Sequence, residues 1–122
     1  MRWLDVIHRF WLSLSVLLLF MITTLSLMPL ERLPDVPGSD KWHHTIAYAV
    51  LMFPAALRRL PYLLWIAVFY IVWGGGIELI QPYVNRYGEW LDFAANGAGL
   101  LTGLIIGLLT NHLFPDRNRS VQ

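Results

Sequence analysis

A chain of 122 residues that is 57% hydrophobic and 14% charged, with a net charge of +1, has the composition of a membrane protein rather than of a soluble domain. The only basic run is Arg58-Arg59, so nucleic acid is not an expected partner. With no cysteine in the chain, disulfides, thiol nucleophiles and thiolate metal sites are excluded.

Taken in order, the chain first shows Arg2 and Arg9 and then an uncharged run of 19 residues from Phe10 to Met28. That length can cross a bilayer. A secretory signal would have a shorter apolar region and a small-x-small cleavage site where SLMPLERLP stands, so residues 10–28 read as an uncleaved first helix. Pro29 ends it, and PLERLPDVPGSD reads as a loop. A second helix over 41–57, capped by Ser39 or Asp40, opens with Lys41, His43 and His44 and contains Pro54. A re-entrant or interfacial helix is the alternative to a span there. Pro61 can occupy the first turn of a third helix over 61–81, apolar but for Glu78 and interrupted by Gly74-Gly75-Gly76. PYVNRYGEW leads to a fourth helix over 91–114, and the tail PDRNRSVQ is polar.

Four spans from a cytoplasmic N terminus put Arg2, Arg9, Arg58, Arg59, Arg117 and Arg119 inside, against Arg32, Lys41 and Arg86 outside. This satisfies the positive-inside rule, whereas three spans would place Arg58 and Arg59 on the wrong side. The expected fold is therefore an all-α membrane protein, a four-transmembrane-helix bundle with N and C termini cytoplasmic, forming one membrane domain over residues 1–122. Ala95, Gly99, Gly103 and Gly107 recur every four residues in the fourth helix. Small residues at that spacing let helix backbones approach closely in lipid, either on a neighbouring helix of the same chain or in a homodimer.

Alternation of the spans brings three polar groups to one depth, at the outer face. Asp40, Lys41, His43 and His44 begin the second helix, Glu78 and Gln81 end the third, and Asp92 and Asn96 begin the fourth. His44 and Tyr48 share a helix face at i, i+4, as do Asp92 and Asn96, while Glu78 and Gln81 do so at i, i+3. Ionisable residues in such segments are costly and by default functional. Asp92 also suits the helix dipole in a first turn, which is a structural reason for its presence. His44 can donate or accept a proton near neutral pH, and Arg86 offers a planar fork for phosphate or carboxylate. Metal binding by His44, Glu78 and Asp92 with Asp40 or His43 has no ligand-spacing motif behind it, so no metal or cofactor is expected.

The order Asp40-Lys41-x-x-His44-x-x-x-Tyr48-x-x-Leu51, then Glu78-x-x-Gln81, then Arg86, then Asp92-x-x-x-Asn96-x-x-Gly99, resembles the VanZ-like family, named for a teicoplanin-resistance protein. The resemblance runs from about Ser26 to Gly107. Departures are the doubled His43-His44, in which the spacing to Tyr48 favours His44 as the family position, and Pro82 directly after Gln81. The resemblance implies a small multi-pass protein of the bacterial plasma membrane, linked to the cell envelope and to glycopeptide resistance, without a settled mechanism. The expected site is a polar pocket of Asp40, Lys41, His44, Tyr48, Glu78, Gln81, Arg86, Asp92 and Asn96 that takes the head group of a membrane lipid or a lipid-linked envelope precursor. Two alternatives stand beside it. In one, His44 with Glu78 or Asp92 acts catalytically on an envelope lipid; in the other, the polar residues only lock helix ends together and the glycine stripe recruits a partner.

Overall fold

The computed structural model describes residues 2–28, 40–84 and 90–115. Among these residues the chain is helical, with no strand: α1 Arg2–Arg9, α2 Trp11–Leu27, α3 Asp40–Arg58, α4 Leu63–Ile80 continued by a 3-10 turn Gln81–Val84, and α5 Trp90–Leu113. Helices α2 to α5 lie where the sequence places its four helices, with ends displaced by one or two residues. Pro61 precedes α4 instead of sitting in its first turn. The polar tail from Asp116 onward lies outside the described residues.

Helix α1 has no counterpart in the sequence-based expectation. It is amphipathic: Leu4 and His8, one turn apart, are buried, while Trp3, Asp5, Val6 and Arg9 are exposed. The uniformly apolar α2 leaves it at 82°. The turn falls at Phe10 (φ −108°, ψ 22°). Backbone bonds continue through it, from the Phe10 N–H to the Val6 carbonyl and from the Leu14 N–H to the Phe10 carbonyl, each 2.9 Å. The Arg58 guanidinium donates to the His8 carbonyl at 2.7 Å, which satisfies a carbonyl in the last turn of α1 and ties it to the end of α3.

Two segments, Leu63–Val84 and Trp90–Leu113, are long and apolar enough to cross a membrane, and the bent pair Trp3–Arg9 with Trp11–Leu27 makes a third if it counts as one span. Their outward faces carry exposed Phe20, Leu64, Trp65, Val72 and Leu101, a density of bare apolar side chains that water does not tolerate on a monomer.

Helix α3 is built differently. Trp42, Ile46 and Val50 on its first half are exposed, but Tyr48, Leu51, Met52, Pro54, Ala55, Ala56 and Leu57 are buried, so protein covers most of its C-terminal half. That is why it can carry Pro54 and have a lower hydropathy than its neighbours. Its principal partner is α5, and the two run parallel: a Cβ added to Gly99 would meet the Thr45 carbonyl, one on Gly103 the Ala49 carbonyl, and one on Gly107 the Ala56 side chain. The glycine stripe thus brings two backbones together within the chain. A homodimer built on the same stripe would have to displace α3.

Helices α2 and α4 are likewise parallel to each other. Trp73 Nε1 donates to Thr23 Oγ1 at 2.9 Å, and Gln81 Nε2 donates to the Ser26 carbonyl at 3.0 Å. The α3–α5 pair is pinned at both ends, by His44 with Asn96 at 2.9 Å and by Asn111 Nδ2 donating to the Leu57 carbonyl at 2.7 Å. Each such bond contributes about 0.6–1.7 kcal/mol between apolar helices. The C-terminal ends of α2 and α4 therefore lie with the N-terminal ends of α3 and α5, and the polar site forms at that end.

Candidate functional site

The site begins with the spacing in α5. Asp92 and Asn96 are one turn apart, so their side chains stack on one face, and both are buried, at 5% and 1% exposure. Because α3 runs parallel to α5 at glycine distance, the His44 imidazole reaches both of them. Its Nδ1 lies 2.9 Å from Asn96 Oδ1, and its Nε2 lies 3.9 Å from Asp92 Oδ2. Asn96 Oδ1 is an acceptor, so Nδ1 carries the hydrogen of this bond and the imidazole plane is fixed by it. Nε2 then faces the carboxylate at a distance too long for a hydrogen bond.

Lys41 stands one turn before His44 on α3, and its Nζ lies 3.9 Å from Asp92 Oδ1. The lysine side chain is 46% exposed, so this is a loose, solvated ion pair of at most about 1 kcal/mol. Glu78, near the end of α4, completes the cluster: one ligand-type atom each from His44, Glu78 and Asp92 lies within 4.8 Å of the other two.

Gly74, one turn before Glu78, forms the floor. A Cβ there would come within 2.8 Å of the Tyr48 hydroxyl and 2.9 Å of the Asn96 amide nitrogen. The absence of a side chain on α4 is what admits these two polar tips beneath the cluster. Of the three adjacent glycines, Gly76 has nothing within 4 Å of such a Cβ, so the close-approach role falls on Gly74.

Lys41, His44, Tyr48, Glu78, Asp92 and Asn96 are thus brought together from three helices. Gln81 is not part of the group in the way its spacing suggested. It is 1% exposed and its amide donates to the Ser26 carbonyl, so it locks α4 to α2. The side chain of Asp40 and all of Arg86 lie outside the described residues. In the sequence Gly74 shows only as part of a glycine run interrupting a helix, with nothing to mark that it underlies the site, and the Trp73–Thr23 contact has no signal because neither residue carries charge.

Chemically, the cluster presents two carboxylates, one imidazole of fixed orientation and one solvated ammonium at a helix-bundle end. Such a group can hold a polar or cationic head group, move a proton through His44, or bind a cation. Comparisons of the chain with protein-family models, with curated proteins and with solved structures match nothing. The class that fold and site define together is a protein all-helical among its described residues, with two helices long and apolar enough to cross a membrane and a partly buried polar cluster where three helices meet.

Proposed function

We propose that the chain is a VanZ-like protein of the bacterial plasma membrane that spans it four times, with both termini cytoplasmic, and binds the polar head group of a lipid or lipid-linked envelope precursor at the outer leaflet. The observation that carries the binding site is the convergence of His44 on both Asp92 and Asn96, with Glu78 from a third helix beside them. A polar cluster with Asp92 and Asn96 buried at the end of an apolar bundle is costly, and binding is the simplest reason to keep it. Support for the fourth span comes from the parallel course of α3 and α5 between the Thr45–Gly99 and Leu57–Asn111 contacts, which gives α3 the depth of α5 whatever its own hydropathy.

The test is the melting temperature of the detergent-purified protein, wild type beside Glu78→Gln and His44→Ala, with and without envelope lipid extract. Lipid should raise the melting temperature of the wild type and leave both variants unmoved. If lipid shifts nothing while both variants melt early, the polar residues serve only to lock the helices.

A catalytic reading is favoured by one feature, the fixed imidazole with Nε2 turned to a carboxylate, the arrangement of a general acid or base. On that reading Glu78→Gln loses turnover of the bound lipid while keeping affinity. A head-group site instead shows graded loss of affinity.

A further inference from the structure

The head-group reading uses the polarity of the cluster but not its composition, one imidazole and two carboxylates drawn from three helices. With Nδ1 turned to Asn96 Oδ1, the other ring nitrogen of His44, Nε2, lies 3.9 Å from Asp92 Oδ2. Glu78 supplies a third oxygen, all within 4.8 Å. One imidazole nitrogen and two carboxylate oxygens this close together form a compact donor set for a cation, beside the Lys41 ammonium that stands 3.9 Å from Asp92.

We infer that His44, Glu78 and Asp92 form a binding site for one divalent transition-metal ion of the Zn2+ or Mn2+ class. One imidazole nitrogen and two carboxylate oxygens are a donor set for those ions rather than for Mg2+ or Ca2+, which take oxygen alone. Ligand atoms about 2.1 Å from a tetrahedral ion lie about 3.4 Å apart. The His44–Asp92 pair therefore closes by about half an ångström on binding, and the free torsions of Glu78 bring in the third ligand. Asn96 fills the outer-sphere role that a metal-bound histidine needs, an acceptor on the other ring nitrogen that sets tautomer and direction. Asp92 is nine-tenths buried, while His44 and Glu78 are half-buried, so the site is closed on the Asp92 side and open to water on the other. Three protein ligands leave coordination positions open at the mouth, where a phosphate or carboxylate oxygen of a head group would enter beside Lys41. The inference uses the same residues as the head-group reading but stands without it, since an ion can bind in the absence of lipid.

The test is metal content and affinity of the full chain in detergent, stripped with chelator and then titrated with Zn2+, Mn2+ and, as a spectroscopic probe, Co2+. One ion per chain is expected, with Co2+ giving the visible absorption of an imidazole–carboxylate site. Asp92→Asn and Glu78→Gln should abolish stoichiometric binding. Asn96→Ala should weaken it 10–100-fold, with Asn96→Asp restoring it, because the latter keeps an acceptor for Nδ1. Circular dichroism and melting of the metal-free variants establish that they are folded. Failure of the folded wild type to bind any of the three ions overturns the site. So does binding that survives both carboxylate substitutions, which would place the ion on other histidines. A metal that binds with no lipid shift removes the head-group reading alone, and a lipid shift in metal-free protein without metal affinity removes this one alone.

Discussion

At the scale of single residues, His44 and Gly74 make the site possible for opposite reasons. His44 reaches two partners on α5 because Asp92 and Asn96 are one turn apart, and Gly74 leaves room for the tips of Tyr48 and Asn96 by having no side chain. Gly74→Ala should therefore destabilise the protein by about 1–3 kcal/mol, the cost of overpacking a closed interface. Gly76→Ala, which meets open space, should be neutral or stabilising by up to about 1 kcal/mol, as expected for replacing glycine inside a helix. Melting of the two variants side by side checks this; equal effects would mean that Gly74 is not a contact point. Lys41→Ala should change stability by less than about 1 kcal/mol, since its ion pair is solvated, whereas loss of the buried Asn96 side chain leaves the His44 donor without its acceptor and should cost about 1–3 kcal/mol. Arg59 is the other position where one residue is under visible constraint, with φ 56° just after α3. Arg59→Gly should stabilise by roughly 1 kcal/mol by removing the Cβ penalty at that helix end.

Among the elements, α3 and α5 form the structural unit. In lipid there is little hydrophobic force between helices, so their association rests on backbone proximity along Gly99, Gly103 and Gly107 and on the hydrogen bonds at the two ends. Gly103→Leu should separate the two backbones and disrupt the site more than 10 Å away along the helix axis, a distance that follows from about 1.5 Å per residue between positions 96 and 103. The readout is the cross-linking yield of cysteines introduced at positions 44 and 92, high in the otherwise cysteine-free chain and lost in the Gly103→Leu background. Because the cysteine at 44 removes the His44–Asn96 bond, persistence of the cross-link would mean that the Asn111–Leu57 contact and the rest of the bundle hold α3 without the stripe. Helix α1 is a separate case. Its buried Leu4 and His8 and its bond to Arg58 hold it across the end of the bundle at 82° to α2 with Asp5 and Arg9 exposed, an arrangement that suits an amphipathic helix at an interface.

The whole molecule poses the question of how many times the chain crosses. Single cysteines in place of Arg59 and of the exposed Tyr83 mark opposite ends of the bundle. With four spans and a cytoplasmic N terminus, a membrane-impermeant maleimide applied to intact cells should label the cysteine at 83 and spare that at 59 until the membrane is opened. Labelling of both from outside would remove the four-span topology.

The sequence by itself determined the helical class, the positions of α2 to α5 and the residues that gather at one end, because these depend on local quantities: uncharged run length, proline positions and i, i+4 spacing. It also carried the signal for α1, in the burial-competent pair Leu4 and His8, but mixed with enough charge to read as a flank. Tertiary structure alone decided three things. It assigned the glycine stripe to α3, because a stripe of small residues states how close a partner comes and not which partner it is. It gave Gln81 a partner on α2, the Ser26 carbonyl, because a contact across the bundle is not encoded in spacing along α4. It set ligand-type atoms of His44, Glu78 and Asp92 within 4.8 Å of one another, because the three lie on different helices and no spacing along the chain encodes a distance across a bundle.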